Sequence, residues 1–433
     1  MAEGTQVAAQ TGNRPGMLAL LKQTNLRTLW LAQTVSWSGD HFTFLALMIV
    51  LNQATGSAGA IGLLMIVMTL PRLLFGMVAG VFVDRWDRQR LMVAADALRG
   101  LLSLGLVWAA TSQHIWLVYP LGFLTSAVGV FFMPARGAIM KTILRPDELL
   151  PANILLQTTY TITLVIGPAL AGILIGTLGV GPAFVFDALT FFVSAGLVAT
   201  LALPKLWRDD GQATKTLGFW SEFNDGLAFV QASRSIMGLL LVLTVISLAT
   251  GAVNVLFVPF MMNVIHVGAT ELGLADSVQG LGMIAGGVLA AGVAARLRAS
   301  HIMAGGLFLA GLAITAIGLA PSFPVVLALL LVVGVIVTPI EATIPAVMQK
   351  LVPLEKMGRV GGTMNTSQSV ATLVSMGIGG IVADIVGPRT VFVAAGLIGV
   401  LAAMVALGAI RDEAPAPVAE VEGQAEISLA IKE

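Results

Sequence analysis

A chain of 433 residues that is 57% hydrophobic and 11% charged, with a mean hydropathy of +0.94, is too apolar for a water-soluble globular protein. Its formal net charge of zero implies no polyanionic partner such as nucleic acid, and the absence of cysteine removes disulfides, thiolate metal sites and thiol catalysis. About 20 consecutive apolar residues cross a bilayer as a helix, and this chain offers such runs almost end to end.

Residues 1–25 hold no long apolar core followed by a small-residue cleavage site, so they read as a cytoplasmic segment and not as a removable signal peptide. Twelve spans follow, near 28–51, 58–83, 91–111, 115–138, 152–176, 181–203, 236–262, 271–295, 301–320, 322–346, 360–384 and 388–410. They divide into a six-helix bundle over 26–203 and a second over 236–410. The connection 204–235 between them is the one sizeable internal loop. Within it Trp220, Phe223, Leu227 and Val230 share a helical face, the pattern of an amphipathic helix lying in the headgroup layer. The tail 411–433 is rich in Pro, Ala and Glu and is expected to be disordered.

With the N-terminus inside, 20 of the 23 Lys and Arg fall on one side of the spans and only Arg389 on the other, while Arg72 and Arg99 lie within spans. By the positive-inside rule both termini are cytoplasmic. The chain also repeats itself. Ile61-Gly62-Leu63 with Gly76 recurs as Leu272-Gly273-Leu274 with Gly287, a constant shift of 211, and residues 138–148 resemble 346–355. Six spans plus six related by a weak repeat describe an all-α membrane transporter of two pseudo-symmetric bundles around a midplane cavity.

Ionisable groups inside spans cost at least ~2.5–3.5 kcal/mol near a helix centre and so are functional candidates. Asp40 lies 13 residues after Arg27, and Arg72 lies 12 before Asp84. At ~1.5 Å per residue both sit about 18–20 Å from the cytoplasmic boundary. A shared depth on consecutive antiparallel helices predicts an Asp40–Arg72 pair, either a proton-responsive element of the cavity wall or a static tie between helices. Asp96 and Arg99, three apart, read as a local pair supporting the adjacent loop. Glu341, between Pro339 and Pro345, is the only carboxylate well inside a C-terminal span away from its ends, and the second proton-site candidate. Asp384 and Arg389 are read as helix terminators only. The four His have no metal-ligand spacing, no phosphate-binding Gly loop with its Lys is present, and no nucleophile–base set stands out. The expectation is therefore no enzyme, no metal and no cofactor.

The stretch Gly76–Arg90, GMVAGVFVDRWDRQR, joins two spans through a few charges. Gly80, Asp84, Arg85, Arg88 and Arg90 resemble the G-x-x-x-D-R-x-x-R-R/K loop between helices 2 and 3 of the major facilitator superfamily. Further similarity runs over residues 20–410. Ser38-Gly39-Asp40, Leu70-Pro71, Pro134-Ala135-Arg136 and the run 186–192 are similar to the branch containing macrolide-efflux and enterobactin-exporter proteins. The resemblance implies a cytoplasmic gate formed by the loop, whose C-terminal counterpart around Arg296 and Arg298 has lost the acidic residue. Gly167, Pro168 and Gly172 resemble the antiporter element of helix 5, lacking its last Gly. The implied activity is secondary active export of a small amphipathic compound, a drug, macrolide or siderophore-like molecule, by proton antiport from a monomer in the cytoplasmic membrane. An importer or lysophospholipid flippase on the same fold is the alternative, and a non-transporting receptor a more distant one.

Overall fold

Among the described residues of a computed structural model the protein has twelve long helices. They are α1 (Thr24–Thr55), α2 (Ala58–Arg85), α3 (Arg88–Thr111), α4 (Val118–Ile143), α5 (Leu149–Leu178) and α6 (Val180–Ala199) in the first half. In the second half they are α7 (Arg234–Pro259), α8 (Ala269–Arg296), α9 (Ala299–Leu319), α10 (Phe323–Leu351), α11 (Met357–Val386) and α12 (Pro388–Ala409). The structure describes residues 17–112, 114–203, 227–231 and 233–409. The expected helix around Trp220 and Phe223, the tail 411–433 and the side chains of Gly80 and Asp84 lie outside the described residues. All twelve helices are long and apolar enough to cross a membrane.

Local chemistry sets the boundaries. Ser57 Oγ accepts from Ala60 N at 3.1 Å and Asp87 Oδ1 from Arg90 N at 3.0 Å, so each caps the first turn of the helix that follows it. The single residues Gly179 and Gly387 join α5 to α6 and α11 to α12, both at φ 85°, a left-handed conformation that only glycine adopts without strain. They lie 208 positions apart, close to the 211 of the sequence repeat, and the packing repeats with them. In the first half α1 packs on α5 and α6, α2 on α4, and α3 on α4 and α6. In the second half α7 packs on α11 and α12, α8 on α10, and α9 on α10 and α12. The two bundles are copies of one plan.

The end at which α1 begins carries most of the basic residues and is termed the basic end; the other is the far end. At the far end one apolar core runs through both bundles, from Phe42–Leu64 and Phe184 to Val255, Leu272 and Phe392. At the basic end the cores are separate. Leu26, Leu29, Met92, Phe132 and Ile139 belong to the first bundle, and Ile236, Leu239, Met303, Val347 and Ala402 to the second. Val230, in the described part of the linker, is buried in that second core. Among the described residues the buried core is continuous at the far end and divided at the basic end.

Candidate functional site

The first bundle holds a polar cluster where α1, α3 and α6 meet. Asp40 Oδ1 accepts from Arg99 Nη2 at 2.7 Å. The Arg99 guanidinium lies 3.9 Å from Asp96 Oδ1 and stacks 4.0 Å over the Phe191 ring. Asp96 is fully buried and accepts from Ser194 Oγ at 2.6 Å. Asp187, also buried, accepts from Thr43 Oγ1 at 2.6 Å and Ser103 Oγ at 2.9 Å. Gly39 lets the helices meet here, because a Cβ on it would lie 2.5 Å from Asp187 Oδ1. Asp40 and Asp96 thus share one guanidinium, with Asp187 held beside them by hydroxyl groups. The Asp40 side chain is 41% exposed while that of Asp96 is closed off, so the cluster reaches solvent or substrate through Asp40.

The partner of Asp40 corrects the sequence expectation. Arg72 is exposed and makes no ion pair among the described residues. Equal depth did not make α1 and α2 neighbours at that level: α1 leans on α5 and α6, whereas α2 leans on α4 and, across the bundles, on α11. Depth fixes one coordinate and azimuth the other. The Asp96–Arg99 spacing does bring the two groups together, although Arg99 points along the bundle to Asp40 and not to the loop.

Gln33, Trp37 and Asp40 follow each other along one face of α1 at helical spacing. Arg136 of α4 donates from Nη1 to Gln33 Oε1 at 2.8 Å and stands 5.5 Å over the Trp37 ring. Tyr160 of α5 meets Trp37 edge-on at 5.3 Å, with Tyr160 itself exposed. An aromatic pair, an arginine and a half-exposed carboxylate therefore lie side by side along α1.

The other bundle is sparser. Glu341 is exposed, with no ion pair among the described residues. It is not alone, because α8 begins at Ala269 and so places Asp276 two turns inside a span, beside buried Ser277, whose Oγ has no partner.

Of the loop residues, Arg85 ends α2 in the exposed zone and Arg90 pairs with Asp87 at 3.6 Å. Gln89, between Arg88 and Arg90, donates to the carbonyls of Val198, Ala199 and Leu201 at 2.9–3.1 Å and so caps the end of α6. Sequence reasoning passed over Gln89 because only the charged positions carried a pattern. Beyond the spans at the same end, the Arg145 side chain and backbone N–H both donate to Glu148, and Gln23 adds a third bond. These bonds, led by that of the Arg145 side chain, hold the Glu148 carboxyl below its ordinary range.

Gly167 and Gly172 lie at contacts. Gly167 packs against the His41 ring, and a Cβ on Gly172 would lie 2.5 Å from the Ala269 carbonyl oxygen of α8. The Pro168 carbonyl abuts Gly273. The helix 5 element therefore sits in the seam between bundles. So do three residues given no role from sequence. Asn52 and Asn263, 211 apart, exchange two amide hydrogen bonds of 3.1 Å across the pseudo-two-fold, a pairing that the repeat itself points to. Asp384 of α11 takes hydrogen bonds from the first turn of α2.

Comparison with known proteins agrees with this architecture. The chain is 25% identical over 389 residues to macrolide efflux protein A of Streptococcus pyogenes, covering 87% of this chain and 94% of that one. It is 24% identical over 313 residues to macrolide efflux protein A of Enterococcus faecalis, covering 70% and 94%. In fold it is similar to a bacterial homologue of the iron transporter ferroportin in an inward-facing state, with a TM-score of 0.70, 18% identity and coverage of 90% and 99%. The model of the family described as transmembrane secretion effector matches residues 15–364. With its twelve helices in two matched bundles, the chain belongs to that family of major facilitator transporters and is not an enzyme.

Proposed function

We propose that this protein exports a small amphipathic compound across the cytoplasmic membrane by proton antiport, with both termini and the basic end in the cytoplasm and one chain as the working unit. The observation that carries the reading is the exposure of Asp40 at the edge of an otherwise buried cluster. On protonation Asp40 no longer holds Arg99, whose guanidinium is then free to draw closer to Asp96, now 3.9 Å away. Because Trp37 and Asp40 share one face of α1, that rearrangement reaches the wall on which an amphipathic cargo rests. Proton binding and cargo binding are thereby placed in competition, which is what antiport requires. The macrolide-efflux relatives support the outward direction, and the placement of 20 of 23 basic residues supports the orientation.

Glu341 and Arg72 are secondary candidates on the walls contributed by α10 and α2. The loop of Gly80, Asp84, Arg85, Arg88 and Arg90 is the proposed gate at the basic end, engaged when that end closes.

Export assays in a pump-deleted host at two external pH values identify a cargo, and proteoliposomes then test the coupling. Asp40→Asn is expected to abolish pH-driven efflux while leaving exchange of cargo across the vesicle. Full pH-driven transport by that variant would remove Asp40 from the mechanism. A rise in cell accumulation on overexpression would favour import.

A further inference from the structure

The α2/α11 seam at the far end contains a helix cap supplied by the wrong bundle. Asp384 Oδ1 accepts from Ala58 N at 2.7 Å, and Oδ2 accepts from Ser57 Oγ at 2.6 Å and Gly59 N at 3.1 Å. Ala58 and Gly59 open α2, and their N–H groups are among the donors that no helix satisfies internally. A carboxylate at this position meets both those donors and the positive end of the helix dipole. Yet α2 belongs to the first bundle and Asp384 to the second.

The corresponding position in the other seam shows that this cap is not a by-product of the fold. The shift of 208 that relates Gly179 to Gly387 takes Asp384 back to Gly176, and the shift of 211 takes Ser57, Ala58 and Gly59 forward to Gly268, Ala269 and Thr270. Gly176 does abut Thr270, so the two seams superpose. There, however, α8 is capped from within its own bundle, by Glu271, which accepts from Gly268 N at 3.1 Å. Of two equivalent contacts only one carries a charged bond between bundles.

We propose that Asp384 is a gating residue for transport, the bond that holds the far end shut and whose breakage admits the state open on that side. Separation of α11 from α2 must break all three hydrogen bonds at once, because all three converge on one side chain. The Asn52–Asn263 pair and the glycine contacts nearby are neutral and nearly symmetric, so they close the far end without favouring either seam. Asp384 adds a bias toward closure that sits on one seam alone. Such a bond would bias the far end toward closure whatever the direction of transport and whatever drives it.

The absence of cysteine from the chain makes the test direct. Thr177 on α5 and Thr390 on α12 are exposed far-end residues of opposite bundles, so a Thr177→Cys/Thr390→Cys chain carrying two spin labels in lipid nanodiscs reports the opening of that end by electron–electron distance. Asp384→Ala is expected to raise the ratio of far-open to far-closed molecules about tenfold, the scale of a lost charged cap. Asp384→Asn keeps one acceptor oxygen and is expected to give a smaller shift in the same direction. Ser57→Ala removes one of the three donors from the other side of the contact and is expected to shift the ratio less again. An unchanged distance distribution in variants that still run as folded protein on size exclusion would overturn the proposal. So would a lower melting temperature with no redistribution, which would make Asp384 a staple and not a gate. If the alanine variant does not fold, the asparagine and Ser57 variants decide by the same readout.

Discussion

Along the α5/α8 seam, Gly172 faces the Ala269 carbonyl and Gly273, and Gly176 abuts Thr270. Along the α2/α11 seam, Gly380 faces the Ala58 carbonyl and Gly59, and Asp384 takes the place of Gly176. Each seam is closed by backbone lying on backbone, which small residues permit inside a membrane where no hydrophobic force drives helices together. The difference is one carboxylate. The first seam adds to its shape one neutral hydrogen bond, from Thr270 Oγ1 to the Gly172 carbonyl at 3.4 Å, and the second adds a charged cap. A symmetric scaffold can thus be given a preferred state by altering a single position in one of its two copies.

The largest effect should come from the feature the seams share. A Cβ on Gly172 would lie 2.5 Å from the Ala269 carbonyl oxygen, and one on Gly380 would lie 2.8 Å from that of Ala58. Backbone in the neighbouring helix must move in either case, and overpacking of this kind costs about 1–3 kcal/mol. Gly172→Val and Gly380→Val are each expected to shift the spin-label distances strongly toward the far-open state and to cut vesicle transport by about tenfold, since ~1.4 kcal/mol is a factor of ten. If one variant acts and the other is silent, the seams are not equivalent and the comparison fails.

A smaller effect belongs to the neutral pair between the seams. Asn52→Leu leaves the Asn263 amide facing an apolar side chain, a loss of about 1 kcal/mol or somewhat more. The double change Asn52→Leu/Asn263→Leu removes both partners together, so it should recover most of that loss in melting temperature. Additive single losses would show that the two amides do not act as a pair.

The sequence carried the parts of this structure that depend on one dimension. Helix count, span boundaries, the 6+6 division and the repeat follow from apolar run length and from residue spacing, and the structure agrees with them. It carried less of the site, because contacts between helices depend on how each is rotated about its axis. Depth marks Asp40, but its partner Arg99 lies 59 positions away on α3, where spacing alone points only to a local pair with Asp96. Asp384 sits three residues before the Gly387 turn, where a charge normally only ends a helix, so nothing in its neighbourhood marks a contact 326 positions away. Asn52 and Asn263 were within reach of the same 211 shift that revealed the repeat.

The smallest effect concerns the basic end, where the buried cores of the two bundles are separate among the described residues, and it serves as the control for the seams. Glu148 holds Gln23 and Arg145 together within the first bundle alone. Its carboxyl lies below the ordinary range when folded, so the ionised form is favoured by folding. The stabilisation is present above the unfolded value of about 4.3 and is lost as pH falls through the lower folded value. Glu148→Gln should therefore melt slightly below the native chain at pH 7, with the gap closing on acidification below that folded value, as followed by thermal unfolding in detergent. The far-end distances should stay where they are, because this contact crosses no seam. A change in those distances would mean that the two ends of the molecule are coupled through the interior of one bundle, and closure could no longer be assigned to the seams alone.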